Sequence, residues 1–377
     1  MSQVIETDVV VVGARVAGAA TAMLLARQGV DVTVVDRAAE LGDTLSTHAL
    51  SRGGVVQLRR WGLLDEVLAS GAPPIRTVSF HFGEHVVRRR VKDAAGVDHL
   101  LAPRRRVLDN AVLDAARRSG AHVRLGTSVA AVRPGLVVAR TPEGRALEIR
   151  ADLVVGADGV RSRVARQLGA GVVEERPSRT GAIFGYFPGD WDGFEFHVSE
   201  GRFDGVFPTN DGLACVWAIA DADHIEEVRR SAGGAEAALG RLLAESSPSL
   251  LPRLGPPAEP LHMALRYPNI VRRASGPGWA LVGDAGYHRD AITGHGITDA
   301  FHHAELLAQA YAAGDLAGYG PARDAALRDV FDVTCELATF PPLDRFVELQ
   351  KQLSDHIEAE ATALASMPDP AAAPAAA

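Results

Sequence analysis

Val9-Val10-Val11-Val12-Gly13-Ala14-Arg15-Val16-Ala17-Gly18, continued by Val32-Thr33-Val34-Val35-Asp36, is the stretch that decides the fold. Four β-branched residues in a row suit a strand buried on both faces. Gly13 stops that run. Val16 to Gln28 is Ala-rich, with Ala19, Met23 and Ala26 at helical spacing, and reads as a helix that Gly29 ends. Val32 to Val35 is a second buried strand with Asp36 at its C-terminal end. Strand, glycine turn, helix and strand within about thirty residues make a βαβ unit. The turn fits G-x-G-x-x-G at Gly13 and Gly18, with Arg15 in place of the second glycine. A helix start offers free N–H groups and a positive dipole end to a diphosphate, and a carboxylate at the position of Asp36 accepts from a ribose hydroxyl. The alternative is a turn whose glycines serve packing alone.

Outward from this unit, Ser51 to Ala69 reads as helix broken at Gly62, Val78 to Val91 as strand, and Val107 to Arg118 as helix. His122 to Leu125 and Val129 to Val132 read as strands, and Asp152 to Val155 as a short buried one. That last strand leads into Gly156-Ala157-Asp158-Gly159, which is either a plain turn or part of a site. Residues 176–267 are rich in aromatics and alternation, the pattern of an antiparallel sheet with one wet face, with helix near Ala235 to Glu245. Trp279 to Val282 returns to the buried-strand pattern and ends at Gly283-Asp284. The loop Gly294-His295-Gly296-Ile297 then opens a helix through Ala312, and more helix follows to about Ser366. Bare glycines let a flat ring approach the backbone, and helix-start N–H groups stabilise negative charge on it.

Composition excludes several classes. The 377 residues carry 39 Lys+Arg against 47 Asp+Glu, so the net charge of −8 argues against nucleic-acid binding. The dense basic run Arg104-Arg105-Arg106 reads as a solvated face, with a ligand role open for one of the three. The two cysteines, Cys215 and Cys335, have no C-x-x-C partner, which fits a reducing cytoplasm and excludes a dithiol relay. No signal peptide and no membrane span are read. His302 and His303 are neighbours on a helix and point apart, so no metal site is expected. Nothing in the sequence sets an oligomeric state.

Together, the glycine turn with Asp36, the Asp158-Gly159 motif and the Gly283-Asp284 motif resemble the FAD-dependent monooxygenases related to para-hydroxybenzoate hydroxylase, with features similar to geranylgeranyl-reductase-like flavoproteins. The resemblance spans roughly residues 7–340. It implies that Gly13, Arg15, Ala17, Gly18, Asp36 and Arg37 hold the ADP half of FAD. It implies that Asp284 meets the ribityl–pyrophosphate portion and that Gly294, Gly296 and Ile297 line the isoalloxazine. Arg105 matches a family arginine reaching the flavin, Val129 a position whose backbone meets adenine, and Asp158 a residue tied to FAD and NAD(P)H handling. Ala291 stands where the family has proline, which removes one source of loop rigidity. His48 and His295 are the catalytic candidates, with Tyr287 and His288 as further polar groups near the ring.

The expected fold is α/β: a Rossmann-like FAD-binding domain (residues 1–75, 103–175 and 268–340) with an inserted antiparallel-sheet substrate domain (76–102 and 176–267). C-terminal helices over 341–366 and a disordered tail over 367–377 complete it. The expected activity is a monooxygenase using NADPH or NADH and O2 on a small organic substrate, aromatic or polyketide-like. The aromatic insert should roof the flavin. A flavin-dependent dehydrogenase or C=C reductase is the rival reading.

Overall fold

The computed structural model describes residues 3–368. β1 (Gln3–Val12), α1 (Val16–Arg27) and β2 (Val32–Val35) form the expected βαβ unit, followed by α2 (Arg52–Arg60), α3 (Leu64–Ala69) and the hairpin β3 (Thr77–Phe82) and β4 (His85–Arg90). Next come α4 (Arg105–Arg118), β5 (His122–Arg124), β6 (Ser128–Arg133), β7 (Leu136–Arg140), β8 (Ala146–Gly156) and α5 (Arg163–Gln167). From β9 (Val172–Arg176) the chain builds β10 (Thr180–Pro188), β11 (Phe194–Ser199), β12 (Arg202–Pro208) and β13 (Leu213–Asp221), then α6 (Ala222–Ala232), α7 (Ala235–Ser246) and β14 (His262–Leu265). It ends through β15 (Asn269–Arg272), β16 (Ser275–Gly276), β17 (Trp279–Leu281), β18 (Tyr287–His288), α8 (Gly296–Ala312), α9 (Leu316–Leu337) and α10 (Leu343–Ser366). Of the expected disordered tail, residues 369–377 lie outside the described residues.

β5, β2, β1, β8 and β17 lie side by side and parallel. Strands distant in sequence therefore become neighbours, with Val12 paired to Val35 on one side and Gly156 on the other, and Gly156 paired to Leu281. Val9 and Val11 face a core with α1, α4 and α8, while Val10 and Val12 face another with Val137 and Val164. The continuous valine run is thus buried on both faces, as read. The strand expected at Asp152 to Val155 is the end of the 11-residue β8. Its first half alternates, with Leu147 and Ile149 buried, because there it pairs with β7.

The second sheet runs β14-β10-β13-β12-β11-β3-β4. It corrects two expectations. It is mixed, since β11 pairs with β3 in parallel. It also has no wet face along its centre. Tyr186, Phe203, Phe207 and Trp217 pack on one side with Phe346 and Leu349 of α10, and Ile183, Val206 and Val216 pack on the other with Leu239 and Leu242 of α7. α6 and α7 supply that second cover; α6 was not read from the sequence. A small antiparallel sheet, β18-β15-β9, joins the two parts.

Candidate active site

The C-terminal ends of β2, β1, β8 and β17 form one edge, the place where open parallel sheets bind ligands. The hydrogen bonds Gly13 N–H to Val35 O (2.8 Å), Ala157 N–H to Val12 O (2.8 Å) and Val282 N–H to Gly156 O (2.9 Å) tie the turns after these strands together. Glycine makes the closeness possible. A Cβ on Gly13, whose φ is +111°, would collide with Ala157 O; one on Gly18 would collide with Gly13 O; one on Gly283 would come 2.8 Å from Ala17 Cβ. So the glycines do serve packing, and that packing is what brings the three motifs into one crevice.

Asp36 accepts from Ala14 N–H and Ala38 N–H, each at 2.8 Å, which fixes its half-buried carboxylate at the crevice rim. Arg37 beside it is exposed. No side chain caps the N-terminus of α1, and no acidic residue stands in its first turn. Arg15, in the place of the second glycine, reaches Asp109 at 2.5 Å and Gly42 O at 3.1 Å. Arg105 grips the same Asp109 through Nε at 3.0 Å and Nη2 at 2.9 Å. Two cations therefore share one fully buried carboxylate beside the α1 terminus. Asp109 escaped the sequence reading; its i,i+4 spacing from Arg105 was the available signal.

Asp158 has a local role that the resemblance did not imply. Its carboxylate accepts from Ser162 Oγ, from Arg163 N–H at 2.7 Å and from Val164 N–H at 3.1 Å, and so caps α5. Val129 is half-buried and its carbonyl accepts from Arg163 Nη1 at 2.6 Å. Asp284, by contrast, is exposed in the turn after β17, and no hydrogen bond or ion pair engages it among the described residues. His303 Nδ1 accepts from Gly283 N–H at 3.0 Å and anchors that turn to α8.

The glycine loop before α8 is braced despite Ala291. Asp290 caps the turn at Ala291–Thr293 through Ile292 N–H at 3.0 Å and accepts from Ser178 Oγ at 3.0 Å and from Thr180 Oγ. Arg289 spans to Asp299 with two bonds, Nε at 2.8 Å and Nη2 at 3.0 Å. Gly294 takes the left-handed φ of +61°. A Cβ on Gly296 meets nothing within 4 Å, so the bare backbone faces open space, while Ile297 is buried in the core behind. No side chain caps the start of α8 either.

His295 stands at that helix start, buried, with Nε2 2.6 Å from Glu360 of α10; His302 Nδ1 is 3.3 Å from the same carboxylate. Burial alone would raise the Glu360 carboxyl, but His295 and His302 hold it well below the ordinary carboxylate range. Tyr287 is buried against Phe331, and its hydroxyl donates to Leu327 O at 3.4 Å. His288 Nδ1 meets Pro268 O.

His48 is 1% exposed and takes a positive φ of +48°. Its Nδ1 lies 3.1 Å from Ala102 O, so Nδ1 carries the proton and Nε2, buried and unpartnered, is an acceptor. Burial, reinforced by the Arg104 charge, pushes its pKa down to about 3. It stacks on Tyr186 at 5.6 Å, and the Arg104 guanidinium sits 3.7 Å from the same ring centre. Arg104 is 1% exposed, which corrects the reading of the basic run as a solvated face. It bonds Asp43 at 2.7 Å and Glu259 at 2.9 Å through Nη2, while its Nε and Nη1 are buried with no partner. Ile292 and Ala49 pack in the same cluster as Tyr186, so these buried groups adjoin the glycine loop. The edge presents uncapped helix starts, a rim carboxylate and open glycine backbone, and beside it lie buried polar atoms without a protein partner.

A family model described as an FAD binding domain matches residues 6–325. Among curated relatives, a digeranylgeranylglycerophospholipid reductase of Methanothrix thermoacetophila is 28% identical over 82% of this chain and 79% of its own length. Aklavinone 12-hydroxylase RdmE of Streptomyces purpurascens is 33% identical over 44% of this chain and 35% of its own. Among solved structures, that of pqsL, a probable FAD-dependent monooxygenase from Pseudomonas aeruginosa, superposes with a TM-score of 0.76 at 24% identity, covering 92% of this chain and 100% of that one.

Proposed function

The chain belongs to the FAD binding domain family of oxidoreductases, and from that premise we propose that it is an FAD-dependent monooxygenase that places one atom of O2 on a small aromatic or polyketide-like substrate. FAD, when bound, supplies the redox chemistry, taking electrons from NAD(P)H and delivering them to O2. The described residues fit that cofactor. Asp36 accepts from the adenosine ribose, with Arg37 beside it, and the α1 terminus between Gly13, Ala17 and Gly18 receives the diphosphate. Asp284 stands free for the ribityl–diphosphate portion. Arg15 and Arg105, joined through Asp109, add positive potential there. Val129 borders the adenine end, and Asp158 holds the neighbouring turn. The open backbone at Gly294 and Gly296 takes the flat ring, and the α8 start stabilises negative charge on it.

The observation that carries the substrate reading is the trio of orphaned buried atoms: Arg104 Nε, Arg104 Nη1 and His48 Nε2. A buried polar atom without a partner costs about 1–3 kcal/mol, so each favours a ligand that satisfies it. Arg104 donates to an acceptor oxygen of the substrate. His48 accepts from a hydroxyl of the substrate, which holds that proton at Nε2 in a hydrogen bond without transfer, since an imidazole with a pKa of about 3 is a weak base. The aromatic face around Tyr186 excludes water. His295 acts by position, locking the glycine loop to α10 through Glu360.

A C=C reductase is the second reading, favoured by the reductase relative that covers most of the chain. A buried arginine with free donors fits a compact oxygenated substrate better than a prenyl chain. Labelled dioxygen distinguishes the two. Aerobic turnover with NAD(P)H and a panel of phenolic and polyketide substrates should give a product carrying one labelled oxygen. Anaerobic saturation of a double bond, with no label under air, would establish the reductase.

A further inference from the structure

We propose that His81, His197 and Glu195 form a binding site for a divalent ion of the zinc class on the outer face of the second sheet, away from the flavin crevice. The side chains converge because of strand register. β3 and β11 run parallel with His81 opposite His197, and Glu195 precedes His197 by two residues, so all three point to one face. Their neighbours Phe80, Phe194 and Phe196 point to the other face and stack among the aromatics.

The distances mark a gap that protein atoms leave unfilled. Glu195 Oε2 is 3.9 Å from His81 Nε2 and 3.7 Å from His197 Nε2, too long for hydrogen bonds. With the three ligand atoms within 4.8 Å of one another, an ion touching all of them sits about 2.1–2.5 Å from each, against ~2.0–2.2 Å for zinc with imidazole nitrogen and carboxylate oxygen. His197 is 3% exposed, and its Nε2 is buried with no partner. Asp204, directly opposite His197 on β12 and fully buried, also has an unpartnered Oδ1 beside this face.

Arg253 takes one acceptor position on each Glu195 oxygen, both at 2.8 Å, and a carboxylate has about four such positions, so Oε2 keeps one for the ion. The two rings, 4.1 Å apart and 12° from parallel, converge on the ion by rotating about χ2, a soft torsion. The His81 side chain is 19% exposed and gives the ion its entry, and a water completes a four-coordinate shell. Such an ion would clip β3, from residues 77–82, to β11, more than a hundred residues later.

The test uses the flavin-loaded enzyme, dialysed against a chelator and titrated with zinc chloride by calorimetry. We expect one equivalent bound with micromolar or tighter affinity, at least hundredfold weaker binding in His81→Ala and in His197→Ala, and unchanged binding in His224→Ala. Zinc should raise the unfolding temperature of the wild type and leave that of His81→Ala unmoved. Flavin content and the unfolding temperature in chelator show that each variant folds. His81, the more exposed of the two histidines, decides the matter if His197→Ala does not fold. The absence of saturable binding overturns the proposal. So does binding that survives His81→Ala, or that is lost only in His295→Ala, which would place the ion at Glu360.

Discussion

Asp36 uses both carboxylate oxygens on backbone N–H groups, and each oxygen keeps acceptor capacity for a further donor. A hydrogen bond to a charged group contributes about 1.5–3 kcal/mol, and about 1.4 kcal/mol is tenfold in affinity. Asp36→Ala should therefore weaken FAD binding about ten- to hundredfold, read by flavin fluorescence on titration of the apoprotein; full occupancy in the purified variant would remove Asp36 from the ribose site. His48 gives a prediction in pH. Its pKa is near 6.5 unfolded and about 3 folded, so below pH 6.5 the unfolded chain binds a proton that the folded chain refuses. That term is absent above pH 6.5 and grows as pH falls toward 3, reaching about 2 kcal/mol of lost stability at pH 5. His48→Asn, which tolerates the positive φ, should flatten the acid limb of stability against pH by close to one proton; an unchanged slope in denaturant melts would contradict the burial argument. At this scale the sequence showed Asp36 and His48 because each stands beside a motif. It hid Arg104 because its burial depends on Tyr186, Asp43 and Glu259, which lie 61 to 155 residues away or form only on folding.

Two glycines at helix starts, Gly18 and Gly296, have separate roles. Gly18 lies where α1 crosses the turn after β1, and any side chain there strikes Gly13 O. Gly18→Ala should lower stability by about 1–3 kcal/mol, as overpacking does, and lose flavin with it. Gly296 opens α8 and its missing Cβ points into open space. Gly296→Val should leave the apoprotein's unfolding temperature nearly unchanged and abolish flavin seating, so the two variants split on stability while agreeing on flavin loss. An intact flavin spectrum in Gly296→Val would put the ring elsewhere. Elements were legible where one period ran unbroken: the valine strand, α1, and the helices from Gly296 onward. They were illegible where partners decide. β8 read as four residues because its first half alternates against β7. The second sheet read as half-wet because the cover over Val206 and Val216 comes from α6 and α7, which follow β13 in sequence and pack back on it.

Across the whole molecule, the crevice is assembled from segments far apart in sequence, reaching from Gly13 to Gly296, that the parallel pairing of β2, β1, β8 and β17 brings together at their C-terminal ends. A ligand lying across all of them binds the folded chain and not the unfolded one, so it adds RT ln(1 + [L]/Kd) to stability, about 2.7 kcal/mol at a hundredfold excess over Kd. The aromatic core around Tyr186 and Trp217 packs with Ala49 and Ile292 beside the crevice. FAD should therefore raise the unfolding temperature of the first sheet together with the loop before α8, and protect amides at Gly13–Gly18, Gly283–Gly286 and Gly294–Ile297 from hydrogen exchange. Amides of β11 and β12 on the far sheet should change little. Asp36→Ala should need about ten- to hundredfold more FAD for the same protection, in step with its weaker affinity. Protection confined to a single one of those three turns would mean that the cofactor spans less of the crevice, and that the strand ends converge for packing alone.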